Sequence, residues 1–228
     1  SLFYTGCFPE IFAGPVCTDQ GGLGNSPLPT NEASIAIPAA SPIAGTDSRM
    51  VLMTTHQLED RVSANTGTSA TFNGSAMALV KRQFNNDGPY NLDVAVEMWA
   101  IFGSDLPTNA GSFQGVLSGG AAGTNTTICL TSVVGVAQEV PLEAANPETG
   151  PLNGTNYSQA VDASTFRHDA TTTISTLANN SFVFSATVND TFGNPSTNLY
   201  HYLATQPAPL VGVWGGFDTG LENPPPRE

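Results

Sequence analysis

Apolar and polar residues alternate with a period of two over several stretches, most clearly from Leu92 to Phe102. Leu92, Val94, Val96, Met98, Ala100 and Phe102 fall on one side; Asp93, Ala95, Glu97, Trp99 and Ile101 fall on the other. Successive side chains of an extended chain point to opposite faces, so this period predicts a strand. Residues 77–84 precede it, followed by Asn85-Asn86-Asp87-Gly88-Pro89, a cluster of residues that tolerate turn geometry. Together they predict a β-hairpin. The same reasoning predicts strands over residues 34–37, 49–57, 128–137, 171–177, 182–188, 199–204 and 210–214. In 182–188, for example, Phe182, Phe184, Ala186 and Val188 share a face. Helical periodicity is poor, and a short helix within residues 156–167 is the one candidate.

Gly-, Asn- and Pro-rich connections separate these runs, with no βα alternation and no repeat of fixed period. The expected fold class is therefore mainly β: an antiparallel β-sandwich or jelly roll with an irregular N-terminal arm. The expected organisation is an arm over residues 1–33, a single β-sandwich domain over 34–220 and an extended Pro-rich tail over 221–228. The arm combines Leu2, Phe3, Tyr4, Phe8, Ile11 and Phe12 with Gly14-Pro15, Gly21-Gly22, Pro27 and Pro29. Pro and Gly forbid a helix there. Its apolar side chains still need cover, either from the arm's own domain or from a neighbouring copy.

Composition narrows the class. Charged residues make up 11% of the 228, under half of the roughly 25% usual for soluble domains. The polar surface must come from Ser, Thr, Asn, Gln and Gly, a composition typical of extracellular β-proteins and assembly subunits. Net charge is −13, and of six basic residues only Lys81 and Arg82 are adjacent. No basic footprint exists to displace counterions from phosphate, so no nucleic-acid partner is expected, and attraction to an anionic membrane is disfavoured. No stretch approaches the ~18 apolar residues of a transmembrane segment. Cations, Ca²⁺ among them, are the small partners this balance favours.

Cysteines stand at positions 7, 17 and 129. Cys7 and Cys17 would close a short loop containing Pro9 and Pro15, the expected disulfide of an oxidising compartment. Cys129, within Thr127-Ile128-Cys129-Leu130, is expected as a buried hydrophobe, with an intermolecular bridge or pairing to Cys7 or Cys17 as the alternatives. Candidate N-glycosylation acceptors are Asn73, Asn125, Asn153, Asn156, Asn179 and Asn189. A secreted or surface-exposed glycoprotein is the expectation.

Candidate chemistry is sparse. The nucleophile elbow, P-loop, His-Glu-X-X-His and dinucleotide fingerprints are absent, as is any Cys-X-X-Cys pair. No cofactor, metal site or catalytic residue is assigned. His56, His168 and His201 are scattered, and the neighbouring carboxylates of His56 and His168 need not face them. Asp93 and Glu97 lie four residues apart on one strand face, about 13 Å, too far for a retaining or inverting carboxylate pair. They are expected on an exposed polar face. Asn85-Asn86-Asp87-Gly88 with Asn91 and Asp93, and Asn189-Asp190 with Asn194, are oxygen-rich enough to raise Ca²⁺, but neither fits an EF-hand loop. Trp99, Trp214, Tyr90, Tyr157, Tyr200 and Tyr202 could form a sugar-stacking platform if exposed; packing within the sheets is the default.

Three functions remain in order of expectation. The first is a non-enzymatic structural or assembly subunit of a surface filament, pilus-like fibre or viral shell or spike, a homo-oligomer linked through its arm by strand exchange. The second is a secreted carbohydrate-binding module. The third is a secreted enzyme whose site assembles only in space.

Overall fold

A computed structural model describes residues 9–20, 31–43, 45–60, 68–87, 92–119, 125–136, 184, 200–203 and 211–214. Its strands are β1 (Glu10–Gln20), β2 (Asn31–Ile37), β3 (Met50–Asp60), β4 (Ser69–Phe72), β5 (Ser75–Ala76), β6 (Ala78–Asp87), β7 (Leu92–Phe102), β8 (Gly111–Ser118), β9 (Asn125–Val134), β10 (Tyr200–Leu203) and β11 (Val211–Trp214). One 3-10 turn, Gly103–Asp105, follows β7. The strands form a five-stranded sheet in the order β1-β9-β3-β7-β6, a four-stranded sheet in the order β2-β8-β4-β5, and the pair β10-β11. Every pairing is antiparallel.

The two larger sheets face each other across one apolar layer, and the fold is a β-sandwich. From the four-stranded sheet come Ala33, Ile35, Ile37, Ala70, Phe72 and Leu117; from the five-stranded sheet come Val51, Met53, Trp99, Ile101, Ile128 and Leu130. β2 shows why: its residues alternate strictly between buried and exposed, so its apolar set all points inward. Phe72 and Leu130 are fully buried, each worth about 1.5–3 kcal/mol of apolar burial. Gly115 on β8 makes room for that packing. A Cβ there would stand 2.9 Å from Leu130 Cδ1 and 3.0 Å from Met53 Cε, both reaching across from the other sheet.

The expected strands over 34–37, 49–57, 128–137, 199–204 and 210–214 correspond to β2, β3, β9, β10 and β11, and the expected hairpin to β6 and β7. β6 continues through Asn85, Asn86 and Asp87, which pair with Val94, Asp93 and Leu92, so the expected turn cluster is strand up to Asp87. The strands expected over 171–177 and 182–188 (Phe184 apart), the helix within 156–167 and the tail 221–228 lie outside the described residues.

The irregular arm needs correction. From Glu10 to Gln20 it is β1, an edge strand of the chain's own five-stranded sheet, and the boundary drawn at 33/34 falls inside β2. Gly and Pro are accommodated because the register breaks between Ala13 and Val16. Edge strands and bulges tolerate a missing N–H and a positive φ, which a central strand does not. Gly14 has φ +100°, and a Cβ there would sit 2.5 Å from Leu130 O, so no other residue fits without displacing β9.

The central strands β3 and β9 are buried on both faces of the five-stranded sheet. Met50, Leu52, Ala100 and Val133 form a second cluster on the outer face, where Val80, Met98, Phe102 and Phe184 pack against it. At one end of the sandwich, buried Arg49 ties the connections together. It donates to Asp47 Oδ1 (2.7 Å), Pro38 O (2.8 Å), Pro107 O (2.8 Å) and Gly103 O (3.3 Å) and pairs with Asp47 Oδ2.

Candidate functional site

The inner layer grades from apolar to polar along the strands. On β7 it runs Ile101, Trp99, Glu97; on β3, Val51, Met53, Thr55, Gln57; on β2, Ile37, Ile35, Ala33, Asn31. Strand pairing forces this convergence, because residues opposite one another across a ladder share a face. Thr55 lies opposite Glu97, and Gln57 lies opposite Thr126 on β9.

Glu97 is the centre of the polar end and is 1% exposed. Its Oε2 accepts from Thr55 Oγ1 (3.1 Å), Gln57 Nε2 (3.2 Å) and Trp99 Nε1 (3.2 Å), and its Oε1 accepts from Thr68 Oγ1 (2.7 Å). Arg82 Nε stands 3.5 Å from Oε1, an ion pair not aligned as a hydrogen bond. Nearby, Asn31 Nδ2 donates to Thr126 O at 2.7 Å. A buried carboxylate needs such donors to offset its lost hydration. With both oxygens engaged, the Glu97 carboxylate ties β3, β6, β7 and the approach to β4 together.

The exposed face expected for Glu97 is thus overturned. The signal was present in the alternation: Glu97 shares its side of β7 with Ala95, Trp99 and Ile101. Trp99 is also buried in the core, 6% exposed, so it offers no stacking platform. Tyr200 lies opposite Trp214 in the β10-β11 ladder, while Tyr90 and Tyr157 lie outside the described residues.

The cysteines pair differently from the expectation. Cys17 bonds Cys129, 112 residues away, in place of Cys7; Cys7 lies outside the described residues. The physical reason is register. β1 returns antiparallel to β9 and sets Cys17 directly opposite Cys129, with Cα atoms 4.1 Å apart. Cys129 is buried, as expected, but as half of a cross-strand disulfide.

Of the candidate glycosylation sites, Asn73 is exposed with φ 49°, in the Asn73-Gly74 turn joining β4 to β5. Asn125 begins β9, and Asn153, Asn156, Asn179 and Asn189 lie outside the described residues. Asn-Gly is a strong hairpin signal, and it could have located the missed strands β4 and β5. His56 is buried on β3, His201 lies on β10, and His168 is outside the described residues. Among the described residues no group of three His, Cys, Asp or Glu converges to hold a metal, and no helix is long and apolar enough to cross a membrane. The oxygen-rich run Asn85-Asn86-Asp87 is laid along β6 rather than gathered in a loop, and Asn189-Asp190 with Asn194 is outside the described residues. No known protein family, curated protein or solved structure matches this chain.

Proposed function

We propose that the chain is a non-enzymatic extracellular structural subunit that assembles with copies of itself through its sheet edges. One observation carries this reading. Among the described strands the five-stranded sheet ends in β1 on one side and β6 on the other. Of the four exposed large apolar side chains among the described residues, three lie on those two strands: Phe12 and Val16 on β1, and Leu79 on β6. Edge strands present unpaired backbone groups, and apolar side chains there reward a neighbour that covers them. Different edges meeting head to tail would propagate into a filament or a closed ring. The Cys17–Cys129 disulfide and the low charge density support an oxidising, extracellular setting.

Negative-stain electron microscopy of protein from its native source tests this, with filaments or closed particles as the expected result. Leu79→Ser, on the opposite edge from the disulfide, should reduce their number without unfolding the monomer. Dispersed single molecules over the working concentration range would end the reading. The second reading, a carbohydrate-binding module, is favoured by the Tyr200–Trp214 pairing in β10-β11. It requires glycan-array binding that Trp214→Ala abolishes.

A further inference from the structure

We infer that Asn73, at the tip of the β4–β5 hairpin, carries an N-linked glycan. This rests on the extracellular reading and selects one acceptor from the six Asn-X-Ser/Thr triplets of the sequence by its place in the fold. Asn73 and Gly74 form the two-residue turn, with φ 49° and 81°. Asn and Gly adopt a positive φ at least cost, so the turn accounts for both. It does not account for Ser75, which completes the triplet Asn73-Gly74-Ser75.

The tip has room for a sugar. Asn73, Gly74, Ser75 and Ala76 are all exposed, and a Cβ built on Gly74 would meet no atom within 4 Å. The backbone N–H of Asn73 donates to Gln114 O at 2.8 Å, while among the described residues no hydrogen bond holds its side-chain amide. β5 is an edge strand joined to β4 through Thr71–Ala76 and Phe72–Ser75, a short ladder that opens more readily than the interior strands. Asn125 stands in a different setting. It belongs to β9, an interior strand of the five-stranded sheet, and its triplet runs into buried Thr126 and Thr127.

The surface around the tip is one that a glycan would hydrate. The four strands β2, β4, β5 and β8 together carry one charged residue, Glu32, and its carboxylate accepts from Gln114 Nε2 at 2.6 Å. Transfer forms a bond between Asn73 Nδ2 and the anomeric carbon of a sugar activated as a lipid-linked pyrophosphate. The bond from that carbon to the pyrophosphate oxygen breaks, and its electron pair leaves with the pyrophosphate. The proton lost from Nδ2 passes to a base of the transferase.

Glycopeptide mass spectrometry of the full chain from its native source tests the site. The expected result is a saccharide mass increment on the peptide holding Asn73, removed by peptide N-glycosidase in H₂¹⁸O with uptake of one ¹⁸O at that residue. Ser75→Ala, made in the same cells, leaves Asn73 and Gly74 in their turn and should abolish the increment, whereas Ser75→Thr should keep it. A turn role for Asn73 alone would produce no such split. An increment on Asn125 in place of Asn73 overturns the inference. Bare Asn73 on chains recovered outside the cell overturns it and leaves the extracellular reading standing. Bare Asn73 on chains found only in the cytosol overturns both.

Discussion

Replacing Glu97 by Gln probes the buried carboxylate at nearly constant volume. The amide oxygen can take the position of Oε2 and keep the donors Thr55 Oγ1, Gln57 Nε2 and Trp99 Nε1. The amide nitrogen then faces Thr68 Oγ1 and Arg82 Nε. The Thr68 hydroxyl can turn and accept, but a guanidinium has no acceptor to offer. The loss therefore concentrates on Arg82, whose side chain is 17% exposed. Breaking a fully buried ion pair by removing one partner costs about 3–5 kcal/mol. Partial exposure of Arg82 and the retained bonds reduce that to about 2–3 kcal/mol, or roughly 4–12 °C in Tm for a chain of this size. Equilibrium urea unfolding should show a lower midpoint at unchanged m. Glu97→Ala, which strands all four hydrogen-bond donors and opens a cavity, should cost more than Glu97→Gln. In a double-mutant cycle, Glu97→Gln with Arg82→Met should cost at least ~1 kcal/mol less than the sum of the single changes. A Glu97→Gln effect below about 0.5 kcal/mol, the range of ordinary surface substitutions, would refute the role given to this network.

Further expectations concern the frame around it. Under thiol reduction the monomer loses about 4–5 kcal/mol, the chain-entropy value for a loop of 112 residues, measured as a shift in urea midpoint; unreduced peptide mapping should recover Cys17 with Cys129. Gly14→Ala forces a side chain onto φ +100° and against Leu130 O, and should lower stability by about 2–4 kcal/mol in thermal unfolding. Arg49→Met strands Asp47 and the carbonyls of Pro38, Gly103 and Pro107, a loss of about 3–5 kcal/mol by the same unfolding assay.

The class of fold was legible in local pattern, because a strand with one face on the core repeats its apolar residues at every second position. β2 and β7 carry that signal plainly in Ala33, Ile35 and Ile37 and in Ala95, Trp99 and Ile101. β8 was missed because Gly111 and Gly115 dilute its pattern, although Gly115 is small only to admit Leu130 and Met53 from the facing sheet. β1 was read as irregular because Gly14 and Pro15 break propensity, and only its place at a sheet edge makes a bulge there tolerable.

The sequence by itself determined that the chain is mainly β, that β6 and β7 form a hairpin, and that its scarce positive charge forms no basic patch. Those properties reside in neighbouring residues and in totals. Tertiary structure alone decided that Cys17 meets Cys129 rather than Cys7, and which donors from other strands meet the Glu97 carboxylate. Both outcomes depend on which strands become neighbours across the sheets. A period of two says that a residue has a face, while the partner covering that face is chosen by pairings between segments far apart in the chain.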